Sequence, residues 1–237
     1  HLYDAAVPNG VQVWRGGVDV QADRIEVEVL GFGAAEECWS IEHKLLPGDP
    51  TGWQVWEDLH TYLGQDFRDV ADHPHYIQAA CIDSGYLMQN VLGAIREYTR
   101  RRPTQRAWAI KGSVDPMVKI WPSNPQRNNQ HRVPLYTINV GAIKETIMSR
   151  LRHAEGVTEG HTPGLQLFHF PHTHGSDYFE QLMSERQVPR LSRGGRQRSL
   201  TGRINKEWIL KPGQRNEVLD CVVYAYAALQ GWLSLGN

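Results

Sequence analysis

The sequence predicts an α/β protein built on one mixed β-sheet, an antiparallel meander followed by parallel strands, flanked by helices. Three observations carry that expectation. Residues 11–46 hold three alternating apolar runs separated by short turns, residues 76–111 read as strand, amphipathic helix and strand, and residues 217–233 form a helical run with almost no polar side. Strands joined by tight turns pair antiparallel, whereas a strand–helix–strand unit implies a parallel pair.

Val11–Gln21 opens the meander. After a turn at Ala22-Asp23, Arg24–Phe32 alternates Ile25, Val27 and Val29 against Glu26 and Glu28, and Glu37–Leu46 follows a glycine-containing turn. The meander therefore has one polar face. Pro47-Gly48-Asp49-Pro50-Thr51 ends it, with Asp49 or Thr51 placed to cap a helix over Val55, Trp56, Leu59 and Leu63. Tyr76–Ile82 is a short buried strand, Leu87–Arg101 a helix with Val91, Leu92, Ile95 and Tyr98 on one face, and Ala107–Lys111 another strand. Residues 112–133, rich in Pro, Asn and Arg, are expected to be irregular. Leu135–Val140 is a strand, Lys144–His153 a helix, Leu165–Phe170 a strand and Asp177–Glu185 a short helix. Arg186–Arg203 reads as a loop or hairpin, and Glu217–Leu233 is the last helix.

At 237 residues, 41% hydrophobic and 22% charged, the chain can bury a sizeable core as a single domain, residues 1–237. Its net charge of −1 excludes a globally basic nucleic-acid binder, so any such affinity must come from local patches. Cys38, Cys81 and Cys221 lie in apolar runs without metal-ligand spacing, which predicts buried free thiols and a reducing compartment. No apolar stretch reaches membrane-helix length and no signal peptide opens the chain, so a soluble intracellular protein with no membrane partner is expected. The chain starts at His1 without a Met, as a fragment of a longer protein would.

Three aspartates stand where the local pattern disfavours charge: Asp19 in Gly-Gly-Val-Asp-Val-Gln, Asp83 in Ala-Ala-Cys-Ile-Asp-Ser-Gly, and Asp220 in Glu-Val-Leu-Asp-Cys-Val-Val. A buried carboxylate is costly unless it is paired or holds a metal. Asp19 shares a strand face with Gly17 and Gln21, and glycine there lets another backbone or a ligand approach closely. Asp83 ends a parallel strand, where ligands of open α/β sheets gather. Asp220 opens a helix that carries no charge after it. Each has a plainer reading. Asp19 could pair with an arginine or face solvent, Asp83 or Ser84 could cap the helix beginning near Tyr86, and Asp220 could face solvent beside Asn216 in a first turn that favours carboxylates. Taken together they suggest a cluster for two Mg²⁺ or Mn²⁺ ions, hard cations that prefer oxygen and can be bridged by one Asp about 3.5–4 Å apart. Metal-dependent phosphodiester cleavage is the expected chemistry, with Glu26 or Glu28 as a possible fourth ligand.

Several segments resemble, in order and spacing, the C-terminal nuclease domain of the large terminase subunit of tailed phages, the lambda GpA-like type. They are Gly17-Val18-Asp19-Val20-Gln21, Asp23-Arg24-Ile25-Glu26-Val27-Glu28-Val29, Pro47-Gly48-Asp49-Pro50, Asp83-Ser84-Gly85-Tyr86, Ile110-Lys111-Gly112, Asp177-Tyr178-Phe179-Glu180-Gln181-Leu182 and Arg215-Asn216-Glu217-Val218-Leu219-Asp220-Cys221. The resemblance covers nearly the whole chain. It implies an RNase H-like fold and two-metal endonuclease activity, with a metal-bound water as nucleophile, on double-stranded viral DNA concatemers during packaging. Asp19 matches the family's first-strand aspartate, Asp83 the one ending the fourth strand, and Asp220 the last-helix aspartate. The intact protein would work in the host cytoplasm with a small terminase subunit and a portal. The family's N-terminal ATPase is missing here, and no G-x-x-x-x-G-K-[ST] phosphate loop occurs. Two alternatives stay open: another RNase H-like nuclease of resolvase or recombinase type, and a non-catalytic DNA-gripping module of the packaging motor.

Residues 186–203 hold six arginines and no acid. Arg190, Arg193, Arg196, Arg198 and Arg203 in this stretch are candidate phosphate contacts, as is Lys111 at a strand end. The plainer reading is a solvated loop. Arg100, Arg101, Arg102 and Arg106 cluster at a helix end, where cations suit the dipole. His169, His172 and His174 with Asp177 lack a usual zinc spacing and are expected to lie on a loop lining the DNA cleft.

Overall fold

A computed structural model describes residues 2–4, 7–69, 71–127, 132–154, 166–192, 195–196 and 206–236, with backbone alone at 153, 154, 191, 192, 195 and 196. In chain order the elements are β1 (Leu2–Tyr3), β2 (Val13–Val20), β3 (Arg24–Phe32), β4 (Cys38–Pro47), α1 (Gln54–Leu63), β5 (Asp66–Arg68), β6 (Pro74–Tyr76), β7 (Ala79–Asp83) and α2 (Met88–Arg101). There follow β8 (Arg106–Ser113), β9 (Gln126–Arg127), β10 (Pro134–Asn139), α3 (Val140–Ala154), β11 (Phe168–Pro171), α4 (Ser176–Leu182), β12 (Glu185–Pro189), β13 (Leu191–Ser192), β14 (Gly195–Arg196), β15 (Lys206–Leu210) and α5 (Glu217–Leu233).

Nine strands form one sheet in the order β1-β11-β4-β3-β2-β7-β8-β10-β9. β2, β3 and β4 are the expected antiparallel meander. β2, β7, β8 and β10 then run parallel, as the strand–helix–strand reading requires. The alternation of each strand sorts the core into two layers. Val18, Ile25, Val27 and Ile82 meet Trp56, Leu59, Val91 and Ile95 of α1 and α2. Leu30, Phe32, Cys81 and Ile110 meet Ile143, Tyr178, Val222 and Ala225 of α3, α4 and α5. All three cysteines are free and buried, as expected from their apolar neighbours. Among the described residues, no helix is long and apolar enough to cross a membrane.

One glycine decides how α5 sits. A Cβ at Gly17 would lie 1.8 Å from the Cys221 carbonyl oxygen and 2.4 Å from the Ala225 nitrogen. The backbone of α5 therefore rests directly on β2, which only glycine permits. The charge-free stretch after Asp220 follows from this placement, since residues 221–229 are all buried.

Several expectations are corrected. Glu26 and Glu28 do not form a solvent face: they are 1% and 0% exposed beneath α4 and α5. Helix α2 starts at Met88, its N-cap residue Leu87 is left-handed (φ 52°), and no side chain caps it. Asp83 is thus a strand-end residue and not a helix cap. Helix α3 begins at Val140 instead of Lys144, because Asn139 Oδ1 accepts from the Ala142 N–H at 3.0 Å and caps it early. The end of the segment expected as a helix through Glu185 is the start of β12, which pairs antiparallel with β15. The hairpin alternative for residues 186–203 thus holds at its base.

Candidate active site

The site is built at the carboxyl ends of β2 and β7. Gly17 pairs with Cys81 and Val18 with Ile82 in that parallel ladder, so one further step sets Asp19 beside Asp83. Both side chains share the α5 face, because Asp19 and Gly17 alternate with core-facing Val18 and Asp83 pairs with Ile110. The close seat of α5 on Gly17 brings Asp220, in the first turn of that helix, over the same spot.

A charge network fixes that first turn. Arg24 Nη2 reaches Glu217 Oε1 at 2.9 Å and its Nε reaches Glu26 Oε1 at 2.6 Å. Arg215 links the same two carboxylates, at 2.6 Å to Glu26 and 3.1 Å to Glu217. The start of α5 is thereby clamped to the meander. Glu26 stands opposite Asp19 in the β2–β3 register but is already neutralised by two arginines and by His43 at 3.2 Å. Glu28 accepts from Tyr178 OH at 3.0 Å and from Ser40 Oγ. Burial alone would lower the His43 pKa, but its hydrogen bonds to Glu26 and Glu28 raise it to about 9, so it sits between them as a cation. Neither glutamate is a free fourth ligand.

The three aspartates differ from these glutamates in what surrounds them. Asp19 is 6% exposed, and Gln21 Nε2 donates to its Oδ2 at 2.5 Å; among the described residues no arginine pairs with it. Burial first, then the charges of Asp220, Asp83 and Glu217, push its pKa up to about 7 against the pull of Gln21. Asp83 accepts the Gly85 N–H at 3.1 Å. Burial and the Asp220 charge lift it to about 6, while the Lys111 ammonium pulls the other way. Exposed Lys111 is thus within electrostatic reach of the centre. Asp220, whose side chain is 22% exposed, is raised mainly by burial, opposed by Lys144 at 3.0 Å. The charge of Asp220 thus acts on both Asp19 and Asp83.

Sequence reasoning missed Lys144 and Glu185, while the expected neighbour of Asp220, Asn216, does lie beside it. Lys144 Nζ bridges Glu185 Oε1 (2.7 Å) and Asp220, and Asn216 Nδ2 donates to Glu185 (2.8 Å) and to Asp220 (2.9 Å). The available signal was helical spacing: Lys144 lies one turn before buried Met148 and beside buried Ile143. Among the described residues, no three His, Cys, Asp or Glu side chains converge ready-made on a single metal position. Asp19 and Asp220 are each engaged by a different nitrogen donor. The donor set nevertheless fits hard divalent cations: three carboxylates, all oxygen, two of them with no basic side chain bonded to them.

Other predicted residues fall elsewhere. Arg190 is exposed at the end of β12, whose first residue, Glu185, touches the site through Lys144. Arg193, Arg198, Arg203 and the side chain of Arg196 lie outside the described residues. His169 stacks on Trp39 and bonds Glu37 at 2.7 Å, and His174 stacks on Tyr178 and contacts Ser40 at 2.6 Å. Both pack at the β4–β11 side of the sheet, so these histidines do not line a cleft above the aspartates. Arg100 and Arg101 pair with Glu97, and Arg101 also with Glu57, as the structural reading of that cluster expects.

The family described as "Terminase large subunit gpA, endonuclease domain" matches residues 2–233. Among curated proteins, the chain is 31% identical over 238 aligned residues to the terminase large subunit of Escherichia phage lambda, covering 96% of this chain and 34% of that protein. It is 25% identical to the terminase large subunit of Enterobacteria phage P21, again over 96% of this chain and 34% of the relative. The chain thus spans about a third of the length of these relatives. Among solved structures, it is similar to a mutant nuclease domain of the large terminase subunit gp2 of bacterial virus Sf6, determined with manganese. The TM-score there is 0.54 at 12% identity, over 91% of this chain and 88% of the other. That likeness shows the fold, which is RNase H-like.

Proposed function

Because the chain belongs to the gpA endonuclease-domain family of terminase large subunits, we propose that it is a divalent-metal-dependent endonuclease that cuts double-stranded viral DNA concatemers for packaging. The observation that carries this reading is the meeting of Asp19, Asp83 and Asp220 at the carboxyl ends of two adjacent parallel strands, each with its pKa raised. These three carboxylates would hold Mg²⁺ or Mn²⁺. Two bound ions would polarise the scissile phosphodiester and activate water for attack.

The chain's own residues set up the reaction. Gln21 fixes the Asp19 carboxylate, the Gly85 N–H fixes Asp83, and Lys144 with Asn216 fixes Asp220. Lys111, whose charge is felt at Asp83, would meet a phosphate oxygen there. Asp19 and Asp83 must lose their protons before they can ligate, so metal binding and cutting rise with pH through the range of about 6 to 7. Arg190, Arg193, Arg196, Arg198 and Arg203, on the segment joining β12 to β15, would track the DNA backbone. In a longer terminase subunit the domain would work with a small terminase subunit, which would load it onto DNA, and with a portal, in the host cytoplasm.

Supercoiled plasmid incubated with the protein and Mn²⁺, against an EDTA control, tests the reading. Nicking should be lost in Asp19→Asn, Asp83→Asn and Asp220→Asn, beyond the roughly 10–100-fold loss typical of partners outside the metal's own ligands. Circular dichroism should show each variant folded. Persistent nicking in any of the three removes that residue from the site. A wild type that binds plasmid at low salt yet never nicks it leaves only the gripping role.

A further inference from the structure

Away from the aspartates, a cavity of about 420 Å³ opens between α2 and the starts of β8 and β10. Its wall includes Ala107, Trp108, Pro134 and Tyr136, and Arg96, Arg106 and Arg132 also line it. The three arginines are exposed. Among the described residues, no acidic one lines the cavity. Among the described residues none of these arginines has an ion-pair partner, whereas Arg100 and Arg101, on the same helix as Arg96, hold Glu97. In a chain of net charge −1, three unpaired guanidinium groups around one recess are a local excess that calls for an anion.

The apolar wall calls for something more than an anion. Trp121 stacks on Tyr136 at 4.4 Å and packs against Trp108 at 5.0 Å, so Tyr136 and Trp108 are held in place from behind. Trp108 is itself only 9% exposed, so the half-buried Tyr136 is the aromatic surface that the recess offers to a planar ring, and the volume falls in the range of roughly 300–1,000 Å³ common to small-molecule sites. A base stacked inside a duplex could not reach it. From the amino ends of β8 and β10 the cavity faces away from the aspartates. Arg106 and Ile110, which pairs with Asp83, are separated by four residues, or roughly 13 Å of strand.

We propose that this cavity binds a nucleoside phosphate, its base against Tyr136 and its phosphates on Arg96, Arg106 and Arg132. Two sources share that chemistry: a free nucleotide, and the unpaired terminal nucleotide of a DNA strand. The site does not depend on the nuclease reading, because neither the aspartates nor their metal contributes to it.

The test is fluorescence anisotropy of a ribose-labelled dADP with the whole chain in EDTA, where metal-dependent cutting is silent. The probe should bind saturably and weaken with salt. Arg96→Gln and Arg132→Gln, both exposed positions, should each weaken it at least about 10-fold. Asp19→Asn should bind it as wild type does, which separates failure of this site from failure of the catalytic one. Competition tells the source: unlabelled dAMP displacing the probe supports a free nucleotide, and a 5′-phosphorylated single strand displacing it better supports a DNA end. No saturable binding at millimolar protein-accessible concentrations overturns the proposal. So does equal displacement by inorganic phosphate, by blunt duplex, or equal affinity in the arginine variants.

Discussion

Asp19 carries a burial burden that a proton relieves and that, in the proposed site, a cation would relieve. Its ordinary pKa of 3.8 rises to about 7 in the fold, so the folded chain holds this proton more tightly than the unfolded chain does. The sign follows from linkage: the stabilisation is complete below about pH 4 and is lost as pH rises through 7. Without metal at pH 8, the ionised carboxylate opposes folding. Asp19→Asn should therefore raise the melting temperature in EDTA at pH 8 by roughly 5 °C, taking about 2–4 °C per kcal/mol for a domain of this size. Near pH 4 the gain should vanish, and added Mg²⁺ should stabilise wild type alone. A variant that melts at or below wild type at pH 8 would mean that Asp19 is satisfied without metal. The three aspartates were legible because each interrupts an apolar pattern in its own segment. Their partners were not: Lys144 meets Glu185 from 41 residues away, a relation no local pattern encodes.

Helix α5 is the element on which the centre depends, and Gly17 is its seat. Gly17→Val would drive side-chain atoms into the Cys221 and Ala225 backbone and lift the helix off β2. Overpacking of this kind costs about 1–3 kcal/mol and more where backbone must move. Gly93, in the middle of α2, makes the opposite case, since an added Cβ there meets nothing within 4 Å. Gly93→Ala should gain roughly 0.5–1 kcal/mol from helix propensity. Urea titrations of the two variants check both signs at once, and equal effects would show that the helix does not rest on that glycine. Most elements could be read from periodicity, because strands and helices here follow their two- and 3.6-residue patterns. What escaped has physical reasons. β1 is two residues long and exists only by pairing with β11. The β-bulge at Val29/Leu30 places both Ser40 and His43 on the face of Glu28, which alternation alone cannot do.

At the scale of the molecule, an acidic centre stands beside the base of a hairpin that carries a basic segment. A duplex drawn by those arginines would be guided toward carboxylates that repel it until cations arrive. Replacing Arg193, Arg196 and Arg198 by Gln should weaken plasmid binding and flatten the plot of log affinity against log salt by up to about 0.9 per arginine. Filter binding across a salt series reads this directly, and an unchanged slope returns the segment to solvent. The clamp of Arg24 on Glu217 joins positions 193 residues apart. That connection has a consequence in time. A ribosome must add about two hundred residues after Asp19 before Asp220 exists to join it, and contacts of such sequence separation form late in folding. On the proposed site, a chain not yet grown to Asp220 would hold Asp19 and Asp83 without their third carboxylate. The proposed centre would be completed last.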